Sequence, residues 1–150
     1  MLSHSHYVAP MMRRPNSDAG GAMPTDRQSM SLEGLNVLLV EDEMMIAMEL
    51  GMAIEDAEAN VVGPVNRLSL GMALVSDETV AIDVAILDVD LHGKDVFPLA
   101  EVLMSRGIPF LFHTGHATRE ELAAQFPDAP VCPKPMLVDR VLQTAASLVT

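Results

Sequence analysis

Tryptophan is absent from the 150-residue chain, and aromatic residues make up only 3% of it. A base-stacking surface for single-stranded nucleic acid is therefore excluded, since such surfaces need several exposed rings. Basic residues are also scarce: 9 Lys and Arg stand against 21 Asp and Glu, a formal net charge of −12. Phosphate backbones and anionic lipid surfaces both require a dense basic footprint, so neither nucleic acid nor membrane is expected as a partner. Hydrophobic runs are short as well. The longest stretches free of charge, such as Gly107 to Thr118, hold 12 residues, whereas a membrane span needs about 18 or more apolar ones. The single cysteine, Cys132, excludes an internal disulfide and a thiolate zinc cluster, and no apolar h-region follows the early arginines. A reducing, cytoplasmic setting is the expectation.

What the chain does have is 49% apolar residues, enough for one core in one domain of this length. Residues 1–33 scatter Pro10, Pro15, Gly20, Gly21 and Pro24 among Ser, His and Met without a sustained period, and are expected to form a disordered tail. Its charges cancel, so residues 34–150 carry the whole acidity. There, short apolar runs alternate with amphipathic stretches, the pattern of βα units on a parallel sheet buried on both faces. Five strands are expected: Asn36 to Val40, Ala59 to Val65, Val84 to Asp88, Pro109 to His113 and Pro130 to Cys132. Helical stripes run through Ile46, Leu50, Ile54 and Ala57, through Leu70, Ala73 and Leu74, through Val96, Leu99, Ala100 and Leu103, and through Val138, Val141, Leu142, Ala145 and Leu148. Thr118 to Phe126 opens with a capping-box pattern, but Pro127 stops it, so the fourth helix should be short or loose. The expected fold class is α/β: a flavodoxin-like (βα)5 doubly wound sheet of five parallel strands, with its crevice at the strands' carboxyl ends.

Chemistry-bearing residues gather at that edge. The first strand runs into Glu41, Asp42 and Glu43, and the third ends at Asp88. Like charges crowded there call for a cation, and hard oxygen ligands at this density suit Mg²⁺. The fourth strand ends at Thr114 and the fifth leads to Lys134. An acid cluster, one further carboxylate, a hydroxyl and a lysine are the parts needed for phosphoryl transfer onto a carboxylate.

With these motifs the chain resembles the receiver domain of two-component response regulators over about residues 35 to 149. Val37-Leu38-Leu39-Val40-Glu41-Asp42-Glu43 is similar to the family's opening strand and acidic pair, and Asp88-Val89-Asp90-Leu91-His92-Gly93 to its phosphoacceptor and following loop. Thr114 matches the switch hydroxyl, and Pro133-Lys134-Pro135 the lysine before a proline. The resemblance implies that Asp88 accepts a phosphoryl group from a histidine kinase or phosphotransfer protein. It also implies that Asp42 binds Mg²⁺ directly, that Glu41 does so through water, and that the backbone carbonyl of Asp90 completes the protein ligands. Lys134-Pro135 should be cis, a form whose cost is low before proline. Pro109-Phe110-Leu111-Phe112-His113-Thr114-Gly115 further resembles the Pro-Phe-x-Phe-Ala-Thr-Gly motif of the FAT GUY group of stand-alone receivers, with His113 in place of Ala and Val131 where other receivers carry an aromatic switch residue. The output change would then run through residues 115–126. No effector domain follows Thr150 in this sequence, so the expected product is a signalling domain, not an enzyme, that acts by binding an unknown downstream protein or by serving as a phosphate sink.

Other readings compete for the same residues. Asp88 alone could be a helix cap, and Glu43 fits a favourable charge in a helix's first turn. His113 and His116 flank Thr114, but two histidines without nearby thiolates make a poor zinc site; His116 is expected to border the pocket instead. Met44, Met45, Met48 and Met52 on one helix are usually core filler, with an exposed subset able to form an adaptable partner surface. Asp88-Val89-Asp90 also resembles the nucleophile motif of haloacid-dehalogenase-like phosphatases, although only Asp139 remains after Lys134 for that family's later metal motif. A third alternative is an unphosphorylated receiver-like scaffold.

Overall fold

The computed structural model describes residues 31–115, 117 and 119–150. The expected disorder of residues 1–30 and the roles of His116 and Thr118 lie outside the described residues. Strands β1 (Asn36–Val40), β2 (Asn60–Val65), β3 (Val84–Leu87), β6 (Phe110–Thr114) and β7 (Val131–Pro133) form one parallel sheet in the order β2-β1-β3-β6-β7. Helices α1 (Met44–Asp56), α2 (Leu68–Ser76), α3 (Phe97–Ser105), α4 (Arg119–Gln125) and α5 (Val138–Ser147) alternate with them. The chain reverses its direction of travel across the sheet between β1 and β3, the switch point where such folds open their crevice.

The central strands read as uninterrupted apolar runs because both faces are covered. In β1, Leu38 and Val40 enter the core against α2, α3 and α4, while Val37 and Leu39 enter the core against α1 and α5; β3 divides the same way between Ala85 and Leu87 and between Val84 and Ile86. The two cores differ in composition. All four phenylalanines of the chain meet on the first face, where Phe126, just after α4, lies 5.5–5.8 Å from the ring centres of Phe97, Phe110 and Phe112. With Leu122 fully buried beside them, this cluster anchors a helix of only seven residues. The expected short fourth helix is thus held by its C-terminal end.

Four features depart from the sequence-based expectation. Leu32, assigned above to the tail, is buried in the α1–α5 core with 4% exposure, and Leu35 N–H bonds back to its carbonyl at 2.9 Å. In α2 the buried positions are Gly71 and Val75, while Leu70 is exposed. Gly71 packs so closely on Leu99 that a β-carbon would collide with it, and this contact turns the helix by its smallest residue instead of by its leucines. In α1, Ala47, Leu50 and Ile54 take the buried stripe, so Met44, Met45, Met48 and Met52 all face solvent at 59–84% exposure, not the core. Finally, the segment after Asp88 is no plain loop: β4 (Asp90–Leu91) and β5 (Lys94–Asp95) pair antiparallel around His92-Gly93. Both turn residues have positive φ, 54° and 83°, as a tight two-residue hairpin turn requires.

No helix among the described residues is long and apolar enough to cross a membrane.

Candidate functional site

Four of the five strands carry functional groups to the same edge. β1 delivers Glu41, whose N–H bonds to the Val65 carbonyl at 3.0 Å, and Asp42; β3 delivers Asp88, whose N–H bonds to the Val40 carbonyl at 2.8 Å. β6 ends in buried Thr114, and the Lys134 N–H continues the β6–β7 ladder to the Thr114 carbonyl at 2.8 Å. The Lys134-Pro135 bond is cis. Sheet hydrogen bonding therefore fixes the backbone of all four strand ends that meet here.

The side chains of Glu41, Asp42, Asp88 and Lys134 converge there. Oxygens of Glu41, Asp42 and Asp88 lie within 4.8 Å of one another. Lys134 Nζ donates to Glu41 Oε1 at 3.0 Å and to Asp88 Oδ2 at 3.1 Å, with Glu43 Oε1 at 3.6 Å. Glu41 and Asp88 are buried. One ammonium thus faces three carboxylates, with Asp42 beside them, and negative charge is in excess. Burial and the Glu41 carboxylate push Asp88 up to about 8, helped by hydrogen bonds to Asp42 and Glu41 and only partly opposed by Lys134. Burial alone would raise Asp42 too, but hydrogen bonds from Asp88 and from the His92 N–H, with the His92 charge, outweigh it and hold Asp42 below the usual carboxylate range. For Lys134, burial is outweighed by Glu41 and Asp88, and its ammonium is held above the ordinary lysine value.

Asp42, Glu43, Asp88, Asp90, Gly115 and Lys134 line a cavity of about 110 Å³ over this cluster. Glu41 stands behind the wall, its Oε1 shared by Lys134 and the Glu43 N–H at 3.2 Å. Asp90 is exposed, and its Oδ1 accepts from the Gly93 N–H at 2.7 Å, which closes the β4–β5 turn. Thr114 lies on the neighbouring strand end, its Oγ1 accepting from the Ala117 N–H at 3.3 Å. The donor set fits a hard divalent cation: three carboxylates share one small space, and burial with the Glu41 charge disfavours the ionised form of one of them, Asp88. Glu43, read as a helix charge, also reaches the lysine.

Two histidines at this edge take places the sequence pattern did not specify. His92 presents its N–H to Asp42 Oδ2 at 3.3 Å and its Nδ1 at 3.7 Å from the same oxygen; the glycine after it was the available signal of a turn. His113 is buried on β6 with neither ring nitrogen hydrogen-bonded, and burial, aided by the Lys134 charge, pushes it down to about 4. A neutral, unpartnered imidazole of this kind is no zinc ligand set.

No protein-family model matches the chain, and no curated protein does. Solved structures do. SdrG from Sphingomonas melonis Fr1 is 38% identical, with 81% of this chain and all of that one covered at a TM-score of 0.65. The non-phosphorylated HemR receiver domain from Leptospira biflexa is 27% identical over 77% of this chain and 94% of that one, with a TM-score of 0.68. A response regulator receiver protein from Sinorhizobium medicae WSM419 shares the fold at 24% identity and a TM-score of 0.71, covering 79% of this chain and 97% of that one. The chain belongs to the response regulator receiver domains.

Proposed function

We propose that the chain is a phosphorylation switch in which Asp88 takes a phosphoryl group from a phosphohistidine of a histidine kinase or phosphotransfer protein. One observation carries this reading: Lys134 bridges Asp88 and Glu41 over a cavity walled by Asp42, so an acceptor oxygen, a cation-binding wall and a fixed positive charge face the same small space. In the reaction an Asp88 carboxylate oxygen attacks phosphorus, the phosphorus–nitrogen bond breaks, and the departing imidazole keeps the bond's electron pair and takes up a proton. An acyl phosphate results. Lys134, freed from Asp88 Oδ2, meets the new phosphoryl oxygens as a point charge, and the Thr114 hydroxyl turns toward them and away from the Ala117 N–H. Asp42 and Asp88, the Asp90 backbone carbonyl and, less directly, Glu41 would hold Mg²⁺. Bound there, the ion supplies the positive charge that lets Asp88 ionise and that offsets the phosphoryl oxygens.

Within the receivers we place this chain in the FAT GUY group on Pro109 to Gly115 and on Val131 in place of an aromatic. The absence of that ring leaves the segment from Gly115 to Phe126 to carry the change, with α4 held at its far end by the phenylalanine cluster. Output is by binding another protein, or by draining phosphate from a shared donor, in the cytoplasm; the chain promotes only its own phosphorylation and dephosphorylation. The test is incubation with acetyl phosphate and Mg²⁺ followed by intact-mass measurement. Wild type should gain one phosphoryl mass, and Asp88→Asn none. Steady release of phosphate from added phosphomonoesters would instead mark a haloacid-dehalogenase-like hydrolase, and no mass gain with any donor would leave a scaffold.

A further inference from the structure

A second cavity, about 340 Å³, opens between α2 and the β4–β5 hairpin and is lined by Arg67, Leu68, Ser69, Leu91, His92 and Lys94. Its charge is opposite to that of the molecule. Residues 34–150 hold only six Lys and Arg among 18 Asp and Glu, yet two of those six face this groove and no carboxylate lines it. The other cations that make specific contacts are used elsewhere: Lys134 in the acidic cluster and Arg106 on the Val75 carbonyl at 3.0 Å. Arg67 and Lys94 are exposed and take part in none of the ion pairs among the described residues. Over residues 34–150, where acidic side chains outnumber basic ones threefold, two unpaired cations beside one cavity are a local reversal of potential that concentrates anions there.

The floor is apolar. Leu91 is fully buried and Leu68 half-buried, so the groove offers a hydrophobic base under a cationic rim with the Ser69 hydroxyl between. A bare phosphate ion would fill a small part of that volume and leave the leucines idle. A ligand with adjacent phosphate charges and a flat apolar body uses all of it, the guanidinium taking phosphate oxygens in a fork and the ammonium acting as a point charge.

We propose that this groove binds a small phosphorylated ligand of the nucleoside diphosphate class, at a site separate from the acidic pocket. The two sites touch at His92, which lines the groove and whose N–H donates to Asp42 Oδ2 at 3.3 Å. Occupancy of the groove would therefore fix the hairpin that bears on the acidic pocket.

The experiment is an NMR titration of the full chain with ADP, pyrophosphate, adenosine and a glutamate-rich peptide, in EDTA so that no metal complex enters the acidic pocket. Saturable shifts are expected at Arg67, Leu68, Ser69, Leu91 and Lys94, with ADP binding more tightly than pyrophosphate and adenosine not saturating. Arg67→Gln and Lys94→Gln should each weaken ADP about fivefold or more, and Asp88→Asn should leave it unchanged, which separates this result from the fate of the phosphorylation reading. Circular dichroism verifies that the variants fold. Equal binding of pyrophosphate and ADP, shifts confined to Asp42, Asp88 and Lys134, no saturable ADP binding, or tighter binding of the peptide than of ADP would each overturn the proposal.

Discussion

Asp83 and Asp88 stand at the two ends of the same strand, β3, and meet opposite surroundings. At the amino end Asp83 Oδ2 accepts from the Asn36 N–H at 2.7 Å and the Asn36 side-chain amide at 3.2 Å, and Asn60 extends the chain to Asn36 Oδ1 at 3.3 Å. That carboxylate is paired with neutral donors and ties β1, β2 and β3 in register. At the carboxyl end Asp88 is crowded by Glu41 and Asp42 with one ammonium among them, and is pushed up to about 8. The two carboxylates differ not in their strand but in surroundings: Asp88 is buried beside carboxylates that one ammonium leaves unbalanced.

Substitutions at the two ends should separate these roles. The largest effect is expected from Asp88→Asn, which abolishes phosphoryl incorporation, whereas Asp83→Asn should leave the rate from acetyl phosphate within about twofold while costing about 1 kcal/mol of stability for its lost charge-assisted bonds. Equal rates for Asp88→Asn and wild type would erase the contrast. Next comes Lys134→Met. Without the ammonium three carboxylates face one another, and urea denaturation in EDTA should show a loss of about 3 kcal/mol, part of it restored by Mg²⁺; no such rescue would mean that the cluster does not take up the ion. Smaller is the effect of His113→Leu. Because the imidazole is buried with both nitrogens unbonded, its replacement should raise stability by about 1 kcal/mol. A loss of that size would instead reveal a partner for His113 in solution.

The same contrast explains what could be read from the sequence. Strands β1 and β3 were legible because burial on both faces leaves nothing but apolar residues in Val37 to Val40 and Val84 to Leu87. Asp42, Asp88, Thr114 and Lys134 were legible because each lies at or within two residues of the carboxyl end of a strand, so topology brings them to one edge. The Asn36–Asp83–Asn60 chain was not, since it depends on register between strands far apart in sequence. Nor was the face of α2, where the close approach of Gly71 to Leu99 overrides the leucine pattern. The hairpin after Asp88 is hard to read because its strands are only two residues long and carry a single apolar residue, Leu91, with the glycine of His92-Gly93 the one hint of a turn. The exposed methionines of α1 were misjudged for a related reason: helix periodicity was assigned to the bulky residues, whereas Ala47 takes one of the buried places.

The central claim is the unbalanced charge at Asp88, and the pH dependence of stability tests it most directly. A carboxyl group whose folded-state pKa is raised holds, in the folded protein, a proton that the unfolded chain has already released. Its contribution is therefore present in full below the unfolded value of 3.8 and is lost as pH rises toward about 8. Urea midpoints measured in EDTA from pH 6.5, above which the opposing gain from His113 fades, to pH 8 should fall with rising pH in wild type and in Asp83→Asn, and the fall should be absent from Asp88→Asn and relieved by Mg²⁺ in wild type. A decline that persists unchanged in Asp88→Asn would contradict the account.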